Sequence, residues 1–209
     1  MPPASEILEQ LAAMSSTLAP LAAAWHVAII AIAAAIVAGW RPTQLVFATL
    51  LLAPLVLSVA SLALAFGNAF NGASFALLAL GMLVLGGRLS DERAVTRGPL
   101  WTTLLGGALI LFGACYPHFV AGPWYLVPAA APVGIVPCPT LAVLAGATLI
   151  ANGGGSRAIP AMLAAWCAFY AGFGIVRLGV TIDVGLVVAA IGLVAVDVRR
   201  TSHALAPSR

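Results

Sequence analysis

Four residues of types that could do chemistry fall toward one end of the chain's apolar segments. Cys115 and His118, in Cys-Tyr-Pro-His, close one apolar run, and Cys138 opens another within Pro137-Cys138-Pro139-Thr140. His26 lies about a turn into the first run. Two thiols and two imidazoles suit zinc or copper, because thiolate and imidazole are the ligands these ions favour. The spacing matches no zinc or copper signature, so three readings stand together. The residues could hold Cu or Zn, Cys115 and Cys138 could form a disulfide on an oxidising face, or all could be packing residues. A haem between His26 and His118 ranks below these, since both imidazoles would have to face each other inside the bundle.

Proline decides how these residues are presented. From Tyr116 to Ala151 the sequence is apolar, but Pro117, Pro123, Pro128, Pro132, Pro137 and Pro139 interrupt it. A proline lacks the backbone donor and clashes with the preceding turn, so no regular helix runs through these positions. Only Leu141 to Ala151 reads as clean helix, about 16 Å against a hydrocarbon core of about 30 Å. Irregular backbone at membrane depth must be buried in protein or line a cavity. Two arrangements meet that condition. Residues 119 to 140 dip into the outer leaflet, or 132 to 151 form one helix kinked at Pro137 and Pro139, and the second is the plainer. In both, Pro139 suits a first helical position and leaves Cys138 near the N-cap, where the positive helix end favours thiolate.

The rest of the chain supplies the frame. It is 63% hydrophobic and 7% charged, with a mean hydropathy of +1.12, which excludes a soluble globule. Its basic residues are nine arginines, dispersed singly between apolar blocks, which is a topogenic pattern and not a nucleic-acid face. Spans are expected at 21–40, 43–66, 69–87, 100–116, a broken fifth ending at 151, 158–177 and 181–198. The fold class is therefore all-α, a bundle of about seven transmembrane helices in one domain. Residues 1–20 form an interfacial N-terminal helix, 21–198 the bundle and 199–209 a cytoplasmic tail. Ile7, Leu11, Met14 and Leu18 share one face of the first helix, with Glu6, Glu9 and Gln10 opposite. Residues 1 to 20 lack the basic start of a signal peptide, so the first span is expected to direct insertion.

With the N-terminus outside, the inner segments carry Arg41, then Arg88, Arg93 and Arg97, then Arg157, then Arg199, Arg200 and Arg209. That is eight of nine arginines, with Arg177 alone outside, so the expected orientation is N-out and C-in. Arg177 and Asp183 flank a tight outer turn and could pair, and Asp197 sits beside Arg199 and Arg200. No charge falls at a span's centre, which removes the usual sign of a proton-coupled transporter. Trp101, Trp124, Tyr125 and Tyr170 fit interfacial anchoring.

Tyr116-Pro117, followed by Gly134-Ile135-Val136-Pro137-Cys138-Pro139-Thr140 and an apolar helix, resembles an uncharacterised family of small multi-pass bacterial membrane proteins, classed only as a domain of unknown function. There a Tyr-Pro at a helix end precedes Gly-x-x-Pro-Cys-Pro-Thr or Gly-x-x-Pro-Asp-Pro-Thr at the start of the next helix. The likeness is clearest over 100 to 151. A Gly-His-Pro-Tyr-Pro-like run of that family stands here as Ala121-Gly122-Pro123-Trp124-Tyr125, without the histidine. The resemblance implies a fold and a compartment but no activity. Asp in place of Cys138 points to helix capping, since Asp is a preferred N-cap.

The expected protein is thus a non-catalytic subunit or partner of an assembly in the bacterial inner membrane. Its surroundings are the lipid bilayer and other membrane subunits or further copies of itself, with no nucleic acid. A small transporter or Cu/Zn-handling protein built on Cys115, His118, Cys138 and His26 is the alternative. A membrane thiol oxidoreductase comes last, for want of a second cysteine motif.

Overall fold

The computed structural model describes residues 3–86, 88–117 and 131–205. Among them the chain is all-α, with eight helices: α1 Ala4–Thr17, α2 Ala19–Ala38, α3 Gln44–Ala65, α4 Ala69–Gly86, α5 Leu100–Ala114, α6 Pro137–Ile150, α7 Ala158–Arg177 and α8 Val184–Leu205. Four segments are long and apolar enough to cross a membrane: Ala19–Ala38, Gln44–Ala65, Ala158–Arg177 and Thr181–Arg199. Ala69–Leu85, Leu100–Ala114 and Pro137–Ile150 are apolar but shorter. Large apolar side chains such as Val27, Ile30, Leu80, Leu104, Val176 and Ile191 face outward from α2, α4, α5, α7 and α8, as a bilayer solvent requires.

The core is α6. Every residue of this helix except Ala147 is buried, among α5, α7, α8 and α2. At about 21 Å it is too short to span alone. It does not have to meet lipid, because its neighbours cover it. Against α5 the backbones touch: a Cβ on Gly106 would lie 2.5 Å from the Gly146 carbonyl oxygen, and one on Gly146 the same distance from that of Gly106. Small residues let helices in lipid approach this closely and gain dispersion contact in place of a hydrophobic drive.

The prolines do not kink this helix. Pro137 and Pro139 sit in its first turn, where backbone donors have no intrahelical partner to lose, and residues 131–136 are a buried non-helical turn. The expected helix over 132–151 thus starts five residues later, and α6 opens two residues before Pro139. Residues 118–130, with His118, Trp124 and Tyr125, lie outside the described residues. Two other helices absorb local constraints through wider π turns: α3 over Phe47–Leu52, just before Pro54, and α7 over Phe173–Arg177.

At the end of the bundle where α6 finishes, Gln44 joins three segments. Its Nε2 donates to the Gly155 carbonyl at 2.7 Å, and its Oε1 accepts from the Ser90 amide at 3.2 Å. The polar loop before α5 is further fixed by the Gln44 amide on Arg93 O and the Val95 amide on Pro42 O. Asp197 pairs here with Arg157, 3.0 Å from its Nε. The Asp197 carboxylate raises the Arg157 pKa above its ordinary value through a hydrogen bond and charge attraction.

Candidate functional site

The turn that leads into α6 explains its Gly-x-x-Pro-Cys-Pro-Thr pattern. Gly134 adopts φ +75°, a left-handed conformation that suits glycine. A Cβ there would overlap the Trp25 ring of α2. Its amide donates to Thr140 Oγ1 at 2.8 Å, and that hydroxyl donates to Val136 O at 2.7 Å. Its carbonyl accepts from Ser58 Oγ of α3 at 2.7 Å, and Ser58 accepts from Trp25 Nε1 at 3.3 Å. Three elements thus converge on one glycine and fix where α6 begins. No side chain caps that beginning, so Cys138 does not serve as the helix cap.

Cys138 instead points across the bundle. Its Sγ donates to Asp183 Oδ2 at 3.4 Å, and the Tyr116 hydroxyl donates to Asp183 Oδ1 at 2.7 Å. Tyr116 and Asp183 are almost fully buried, at 0% and 1% exposure. Asp183, expected at the edge of an outer turn, faces inward from the single 3-10 turn Thr181–Asp183 before α8. Room for its carboxylate comes from Gly174, where any Cβ would collide with Oδ2. A buried carboxylate has to be compensated by donors, and phenol and thiol supply two.

Beside this cluster lies a cavity of about 250 Å³. Its walls come from α1 (Ile7, Gln10, Leu11), the α3–α4 corner (Gly67 to Asn71), the start of α6 (Val136 to Cys138) and the α7–α8 corner (Tyr170, Phe173, Gly174, Leu178, Val180, Asp183). Tyr170, expected at an interface, is buried and donates its hydroxyl to Asn71 Oδ1 at 3.1 Å. Asn68 caps α4 through the Asn71 amide at 3.1 Å, which holds Asn71 at the wall. Phe70 stacks on Phe173 with centroids 5.1 Å apart and closes one side. Gln10 stays exposed on the polar face of α1, donating its Nε2 to Glu6 Oε1 at 3.5 Å, and borders the cavity's mouth.

Three of the four candidate ligands, His26, Cys115 and Cys138, fall within the described residues. His26 Nδ1 lies 2.6 Å from Ala22 O and its Nε2 3.1 Å from Ala114 O, and the single N–H of a neutral imidazole can donate to one of these two carbonyls. Cys115 is the half-buried C-cap of α5, Cys138 faces Asp183, and all three cysteines are free thiols. Among the described residues, no three His, Cys, Asp or Glu side chains form a group that could hold a metal ion, and His118 lies outside them. Pattern reading missed Asp183, Tyr116, Gly174 and the Tyr170–Asn71 pair. The available signal was a single carboxylate with apolar neighbours on both sides, Ile182-Asp183-Val184. Compared with known proteins, the chain matches no family model, no curated protein and no solved structure.

Proposed function

We propose that this chain is a single-domain, seven-span protein of a bacterial inner membrane, N-terminus outside and C-terminus inside. In this reading it is a non-catalytic binding subunit of a membrane assembly, and its ligand occupies the cavity between α1, α4, α6 and α7. The observation that carries it is the cavity's make-up: aromatic and aliphatic walls with a few converging polar groups, Gln10, Asn71, Cys138, Tyr170 and Asp183. Small-molecule sites have this composition, apolar for affinity and sparsely polar for orientation. The ligand class is a small molecule with an apolar body and one hydrogen-bonding head. Binding is favoured over turnover because Tyr116, Cys138 and Tyr170 already donate to carboxylate or amide acceptors. The arginine distribution supports the orientation, and the burial of α6 supports counting it as a protein-sheathed fifth crossing.

The test is to purify the protein in mild detergent and identify what it retains by non-denaturing mass spectrometry. Wild type should carry a small organic adduct, and Asn71→Leu, which fills the cavity and removes a polar wall, should lose it. Equal adducts on both proteins, or none on wild type, would overturn the reading.

A further inference from the structure

The far side of the bundle carries a second, differently built concavity. Between α7 and α8 an open furrow of about 960 Å³ runs along Ala161, Ala164, Ala168 and Ala190. It ends at Trp101 and Arg199. Alanines at these spacings leave no side chain to fill the gap, while Ile191, Val194 and Val198 rise at its margin and face outward. In a bilayer such a gap has to be filled, because empty space forfeits dispersion contact on every wall. The polar end is equally specific. The Arg199 guanidinium lies over the Trp101 ring, 5.6 Å from its centroid. The Trp101 Nε1–H is shielded from solvent and has no partner among the described residues. The nearest acid in sequence, Asp197, is paired with Arg157, so its charge is compensated beside the furrow.

We propose that this furrow holds an acyl chain of a phospholipid with an anionic headgroup, whose phosphate sits at Arg199. The furrow follows α8 from Arg199 to Ala190, about 14 Å at 1.5 Å per residue. That is close to one leaflet's share, about 15 Å, of the hydrocarbon. A partner helix is the poorer occupant, since it would need a seam along the whole span and would bury Arg199 against apolar side chains. A basic residue between spans at the headgroup level is the arrangement that recognises anionic lipid. The leaflet is whichever one α8 ends in, so the proposal does not depend on the orientation above or on the cavity near Asp183.

Non-denaturing mass spectrometry of the delipidated protein, titrated with phosphatidylglycerol and with phosphatidylcholine, tests it. Wild type should retain one phospholipid and prefer the anionic one by about fivefold. Ala168→Leu, filling the furrow, should weaken retention of both lipids by about tenfold. Arg199→Gln, at the exposed end of α8, should abolish the preference and leave residual binding of both. Equal retention and equal preference in all three proteins would overturn the proposal. So would a wild-type dimer that Ala168→Leu converts to monomer, because a second copy would then be the occupant.

Discussion

The hydroxyl of Tyr116 donates to Oδ1 of Asp183 at 2.7 Å, joining the end of α5 to the start of α8 inside the bundle, while the Cys138 thiol reaches Oδ2 from the first turn of α6. This carboxylate links three helices at the floor of the cavity. Leaving a buried acceptor without its donor costs more than an ordinary hydrogen bond contributes. Tyr116→Phe keeps the ring and should lower stability by about 1.5–3 kcal/mol, read by thermal unfolding in detergent. Cys138→Ala should cost less, because a thiol is a weak donor. In an Asp183→Asn background the Tyr116→Phe penalty should shrink by about 1 kcal/mol or more. Additive penalties would mean that the two residues do not act on each other.

Gly134 offers a sharper contrast. Gly134→Ala imposes both a left-handed alanine, about 1–2 kcal/mol, and overlap with Trp25, about 1–3 kcal/mol. Gly67 has the same φ of +75° and open space around it, so Gly67→Ala should cost only the first of these. A melting-temperature drop at least as large for Gly67→Ala would argue against the Trp25–Ser58–Gly134 junction.

The α5–α6 contact can be tested with adjacent glycines. Gly106→Ala forces the Gly146 backbone away and should destabilise by about 1–3 kcal/mol. Gly107 faces open space, so Gly107→Ala should be neutral or stabilising by about 0.5–1 kcal/mol. Matching effects at the two positions would contradict the packing described for the central helix.

Copper or zinc should leave the thermal stability of the purified protein unchanged. The Cys138 thiol is held by Asp183, so a metal taken up by this thiol would have to displace an existing bond. A chelator-reversible rise in melting temperature, lost in Cys138→Ala, would favour the metal-handling reading instead.

Much of the frame was legible in the sequence because lipid imposes a length rule on apolar runs. The helices begin and end within about three residues of the expected breaks at Arg41-Pro42, Gly67-Asn68 and Asn152 to Arg157. The proline-rich lead-in also announced irregular backbone before α6. Less visible was what that irregularity does. The Gly134 turn depends on Trp25 and Ser58, which are distant in sequence, and no local pattern encodes such a meeting. Asp183 was misjudged for a related reason. Beside Gly179 and Thr181 it looks like a turn residue, and only the gap at Gly174, on another helix, shows that its side chain can turn inward. Tyr170 read as an interfacial anchor because tyrosine usually is one, whereas Asn71 satisfies its hydroxyl in the interior.

Cys138 and Asp183 form the floor of a cavity whose walls include α1. Chemical access to the Cys138 thiol reads out which face the cavity opens to, in a Cys115→Ala, Cys167→Ala background that leaves Cys138 as the single cysteine. A small cationic methanethiosulfonate that cannot cross membranes, added to the outer face of intact cells, should modify Cys138, and Asn71→Leu should slow the reaction. Modification only from the cytoplasmic face of inverted vesicles would mean that the cavity opens on the opposite side of the membrane.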